Sequence, residues 1–106
     1  MELALIQESL KSPEALTPRD VVNMTLYLSS EYGRITEAFL TATGEASTIE
    51  ADLLMQEDMT SAKAKVLTAA SDAGKRRMNF GGQLKAIEQM IQALKKTQAY
   101  FSEHKY

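Results

Sequence analysis

The side chains that could perform chemistry in this chain are few, and their spacing suits no reaction. Nucleophilic catalysis needs a nucleophile and a base brought together. The only histidine is His104, in the C-terminal tail, where it reads as a solvated residue. No G-x-S-x-G, no H-E-x-x-H and no paired His/Cys spacing occurs, and there is no cysteine at all. Carboxylates can build a metal site inside a helical bundle, but such sites normally also use Glu-x-x-His. Glu50, Glu57 and Asp58 have no histidine near them and read as a solvated acidic face. Asp72-Ala73-Gly74-Lys75 imitates the end of a phosphate loop. That loop needs glycine where Ala69 stands, Ser or Thr where Arg76 stands, and a strand before it. The expectation is a protein with no catalytic residues, no metal and no cofactor: not an enzyme.

Charge is the second candidate for function. Net charge is −2. Residues 1–60 nonetheless carry eleven acids and three bases, and residues 61–106 carry three acids and nine bases. The plain explanation is internal, with an acidic helix folded along a basic one. The functional alternative is that the basic half meets nucleic acid. Lys75, Arg76, Arg77 and Lys85 are the candidate nucleic-acid-binding residues, with Lys95 and Lys96 further on. They fall at many heptad positions and make no single stripe. Phe80 and Phe101 lie on an apolar row, which removes them as base-stacking platforms. A pI near 5.4 is also unlike that of dedicated nucleic-acid binders. In the mirror reading, Glu31, Glu37, Glu45, Glu50, Asp52, Glu57 and Asp58 imitate a phosphate backbone in a basic groove on another protein.

The elements that must position these groups are helices. Val21, Leu28, Ile35, Ala42 and Ile49 recur every seven residues, and so do Met59, Val66, Ala73, Phe80, Ile87, Leu94 and Phe101. Strict heptads hold one apolar seam against a partner over a long distance. At 106 residues the chain is one domain by size, and 44% apolar with 25% charged residues is ordinary for a folded protein. Residues 1–17 form an N-terminal arm with room for a short helix placing Leu3, Ile6 and Leu10 on one side. Thr17-Pro18-Arg19-Asp20 is a helix start, with Thr as N-cap and Pro at the first helical position. A helix follows to about Thr43, with Gly33 inside it at a cost of about 1 kcal/mol against Ala. Gly44 reads as a helix stop, and Ser47-Thr48-Ile49-Glu50 as a capping box starting the next helix. The first heptad row crosses this turn without a phase change, so one continuous helix is the alternative. From residue 48 to about 103 the favoured reading is one long helix, with Gly81-Gly82 either a bend or helix-internal. A break near residues 72–82, giving a small bundle, is the rival.

The fold expected over residues 18–106 is therefore all-α: an antiparallel helical hairpin with one long heptad-bearing helix. Phe80, Leu84, Ile87, Ile91, Leu94 and Phe101 are the seam expected to close a coiled-coil or helical-bundle homo-oligomer. The alanines at 62, 64, 69, 70 and 73 allow close approach but bury little area. The methionines read mainly as core gap-fillers. No segment approaches the roughly 20 apolar residues of a membrane span. The N-terminus has Glu2 and no basic region before its apolar residues, so it does not read as a secretory signal. A cytoplasmic protein with no membrane partner is expected.

Three stretches carry a family likeness: Thr43-Gly44-Glu45-Ala46, Ala62-Lys63-Ala64-Lys65, and Leu84-Lys85-Ala86-Ile87 through Ala93-Leu94-Lys95-Lys96. In layout and composition, over about residues 18–103, the chain resembles small helical accessory proteins of tailed phages and prophages. Many of these are encoded near single-strand annealing or replication genes. The resemblance implies a non-enzymatic viral protein in the host cytoplasm that self-associates and acts by protein–protein interaction. A nucleic-acid-binding protein of a recombination or replication module is one alternative. An inhibitor of a host nuclease or defence complex is the other.

Overall fold

A computed structural model describes residues 3–103. Every regular element among them is helical: α1 (Leu3–Leu10), a 3-10 turn (Pro13–Ala15), α2 (Pro18–Leu54), α3 (Ser61–Ala70) and α4 (Asp72–Glu103). The all-α reading holds. The helix boundaries differ from expectation at three places, each with a local cause.

α2 does not stop at Gly44. None of the described glycines has positive φ, and Thr48 caps nothing. Its hydroxyl donates to the Gly44 carbonyl (3.1 Å), as that of Thr43 donates to the Phe39 carbonyl (2.8 Å). Ala42 and Ala46, on either side of Gly44, are fully buried. Their burial continues the row begun by Val21, Leu28 and Ile35, and that tertiary contact overrides the local stop signal.

The expected single helix from 48 to 103 is interrupted twice. Residues 55–60 form a loop in which Asp58 takes a left-handed φ of 62°. Thr60 then caps α3, its side chain accepting the Lys63 N–H (3.1 Å). At Ser71 the backbone turns extended, with ψ 162°. The Ser71 hydroxyl accepts the Gly74 N–H (3.1 Å) and donates to the Thr68 carbonyl. Asp72 follows in the first turn of α4, where a carboxylate is favoured. The corner also explains Gly74. A Cβ there would lie 2.1 Å from the Thr68 carbonyl oxygen and 2.8 Å from the Ala69 Cα. The seven-residue interval from Met59 to Val66 to Ala73 therefore crosses two breaks and is not one seam. Gly81 and Gly82 lie inside α4 and do not break it.

The chain divides into two compact units. Among the described residues, the first comprises 3–33 with 85–103. Its core is Ile6, Val21, Met24, Leu28, Ile87, Met90 and Leu94, with Thr97 buried alongside. α2 starts on a reciprocal cap: the Asp20 N–H donates to Thr17 Oγ1 (3.1 Å), and the Thr17 N–H donates to Asp20 Oδ2 (3.0 Å). Tyr32 donates to Glu88 (2.9 Å), joining α2 to α4.

The second unit comprises residues 34–84. Its buried apolar residues are Ile35 and four alanines, Ala42, Ala46, Ala64 and Ala73, with Thr68 beside them. Phe39 of α2 lies against Gly81 of α4, and Glu45 of α2 pairs with Arg76 of α4. Rising numbers in α2 meet falling numbers in α4, so within this unit the two helices are antiparallel, as the hairpin reading requires.

Candidate functional site

The cations proposed for nucleic acid sit in the first half of α4. Lys75, Arg76 and Lys85 are exposed, and Arg77 is half-buried. Successive residues of a helix point about 100° apart, so Lys75, Arg76 and Arg77 fan around the helix. Arg76 is already engaged by Glu45. The cluster forms no flat basic stripe.

Charge placement in the second unit is nonetheless unusual. A helix N-terminus favours acids and a C-terminus favours bases, each by about 0.3–1 kcal/mol at exposed sites. Here Lys63 in the first turn of α3 and Asp52 in the last turn of α2 run against the rule, while Asp72 at the start of α4 obeys it. α3 has no acid in its first turn and carries Lys63 and Lys65 near its start. α4 places Lys75, Arg76 and Arg77 directly after its single first-turn acid, Asp72. α2 has no base in its last turn and carries Glu50 and Asp52 close to its end. Among the described residues, Glu50, Asp52, Lys63 and Lys65 form no ion pair.

Among the described residues, two titrating groups depart from their ordinary values, and both belong to the first unit. The Asp20 carboxyl is held below 3.8, first by the Thr17 backbone N–H and then by the Thr17 side chain. The Tyr32 hydroxyl is pushed above 10.0 by its hydrogen bond to Glu88 and by that carboxylate's charge. Both are structural contacts at helix surfaces. No group of three or more potential metal-ligating side chains gathers among the described residues. Glu50, Glu57 and Asp58 do not converge, and His104 lies outside the described residues. A concavity of about 360 Å³ in the first unit is lined by Pro13, Glu14, Lys96, Thr97 and Tyr100. None of the charged candidates of α4's first half reaches it.

The expected oligomer seam is only partly available to a partner. Ile87 and Leu94 are fully buried within the chain, so the expectation of an exposed row is corrected at these two positions. Phe80, Leu84, Ile91 and Phe101 are half-buried. Exposed apolar residues lie elsewhere: Leu26 and Leu40 on α2, Val66 and Leu67 on α3, and Met78 on α4. The methionines divide. Met24 and Met90 fill the core as expected, but Met55 and Met78 are 86% and 72% exposed and fill nothing.

Two caps went unread in the sequence. Thr60 ahead of a helical run and Ser71 followed by Asp72 are both N-cap signals, and the apparent continuity of the heptads masked them. The exposed face of α2 was legible as the row Leu26, Gly33, Leu40, Ser47 and Leu54, opposite the buried one. No helix among the described residues is long and apolar enough to cross a membrane. No family model matches the chain, and comparison with curated proteins and with solved structures found no match.

Proposed function

We propose that this chain is a non-enzymatic, self-associating accessory protein that acts by binding another protein. One observation carries the reading: large apolar side chains stand exposed on helix faces that the chain itself leaves uncovered. Leu40 is 62% and Val66 68% exposed, each opposite its helix's buried side. Exposed apolar area of this kind suits protein contact. The phage-type assignment, and with it a host-cytoplasmic location, rests on the resemblance in layout.

The test is native mass by multi-angle light scattering, at low and high salt, with and without a short single-stranded oligonucleotide. The expected result is an oligomer whose mass ignores the oligonucleotide. A salt-sensitive protein–DNA complex that disappears in R76A/R77A would replace this reading with nucleic-acid binding through Lys75, Arg76, Arg77 and Lys85. A monomer in every condition would remove self-association. Inhibition of a purified nuclease by the chain would favour the third reading, with the acids of α2 as the contact.

A further inference from the structure

The second unit has two uncovered helix faces whose flanking charges are opposite in sign. On α2, Leu40, Ser47 and Leu54 stand seven residues apart, with Gly44 and Ala51 between them, and all five are exposed. This row lies opposite the buried Ile35, Ala42 and Ala46. Its flanks carry Glu50 and Asp52, and no base occurs in α2 after Arg34. On α3, Ala64 and Thr68 form the buried side. Ala62, Val66 and Ala69 lie opposite them, with Lys63 on one flank and Lys65 on the other.

Charge says what covers these faces. Lys63 in the first turn of α3 and Asp52 in the last turn of α2 are set against their own helix dipoles, which costs stability unless an opposite charge arrives. Gly44, like Gly33 and Gly82, has nothing within 4 Å of a Cβ, so it leaves the backbone of this row bare. An acidic-flanked face and a basic-flanked face on one molecule are complementary, and like faces would repel.

We propose that a second copy of this chain covers them, the outer face of α2 over residues 40–54 docking on the outer face of α3, Ala62–Ala69, of its neighbour. This rests on the self-association proposed above and assigns it to a surface distinct from the Phe80–Phe101 row. The lysines of α3 then face the acids at the end of α2, and Val66 packs among Gly44, Ser47 and Ala51.

The charges set against their helix dipoles supply the test, because one substitution then moves stability and association in opposite directions. K63E/K65E places acids at the α3 N-terminus, and E50K/D52K places bases near the α2 C-terminus. Each variant alone is expected to unfold at a higher temperature than wild type and to self-associate at least about ten-fold more weakly. Mixed in equal amounts, the two are expected to regain wild-type affinity, because each restores the opposite charges the other lacks. G44A is expected to repeat the split in milder form. Wild-type association in both charge variants would overturn this surface and leave self-association standing. A monomeric wild-type chain would overturn both. Loss of association in both variants without recovery on mixing would overturn the pairing of α2 with α3.

Discussion

The two units fill their interiors with side chains of different size along the same seven-residue rows. Val21 and Leu28 of the first give way to Ile35 and then Ala42 in the second. Leu94 and Ile87 of the first are matched in the second by Ala73. Spacing decides which residues face inward, and size decides how much that burial contributes. Burying a Leu or Ile side chain is worth roughly 1.5–3 kcal/mol, and an alanine methyl much less. The first unit is therefore held by apolar transfer. The second relies on Ile35, on close approach along its alanines, and on the helix caps at Thr60 and Ser71.

That contrast predicts that truncation hurts the first unit and enlargement hurts the second. Leu28→Ala or Leu94→Ala should cost about 2–5 kcal/mol, read as a fall in Tm by circular dichroism. A loss under 1 kcal/mol would mean the first unit is loosely packed and the contrast is false. Next in size is Gly74→Ala. Its new methyl would meet backbone at Thr68 and Ala69, which cannot swing aside as a side chain could. Overpacking of this kind costs about 1–3 kcal/mol, and amide exchange should quicken first around the α3–α4 corner. Wild-type stability in this variant would show that the corner relaxes freely.

The smaller expected effect has the opposite sign. A Cβ at Gly82 meets nothing within 4 Å. Gly82→Ala should raise stability by up to about 1 kcal/mol through helix propensity alone. Two glycines eight residues apart on one helix thus separate a packing requirement from a propensity cost. A destabilised Gly82→Ala would show that something outside the chain approaches there.

The same distinction accounts for what the sequence could and could not disclose. The inward rows were legible because a period of seven survives whatever side chain occupies it. The start of α2 was legible because Thr17-Pro18-Arg19-Asp20 is a local signal satisfied by local atoms. The end of α2 was misjudged because Gly44 and Ser47-Thr48-Ile49-Glu50 are local signals that lost to the burial of Ala42 and Ala46. The break at Ser71 lies at the edge of the rival reading, a break near residues 72–82, and the continuous helix is favoured over it in the sequence because Met59, Val66 and Ala73 keep heptad spacing across it. The role of Gly74 depends on a carbonyl six residues away in the chain, which no propensity scale registers. For the candidate surfaces, the charged residues could be named in advance. Which of them Arg76 and Glu45 would cancel required the fold.

The finest difference between the units lies in two threonine caps. Thr17 and Thr60 each accept a backbone N–H three residues on, from Asp20 and Lys63, both at 3.1 Å. Only Asp20 can answer, taking the Thr17 N–H on its carboxylate. That reciprocal bond holds the Asp20 pKa below 3.8, so the folded state favours the ionised form. Its contribution is complete above the unfolded value of 3.8 and is lost as pH falls through the lower folded value. Lys63 carries no carboxylate, so the α3 cap has no matching acid dependence. In an NMR titration the Thr17 amide should shift with the Asp20 carboxyl, while the Lys63 amide stays level over the same range. Thr60→Ala should cost about 1 kcal/mol at every pH. Equal acid sensitivity at both caps would mean that the pH response comes from general unfolding, and the contrast between the two helix starts would fall.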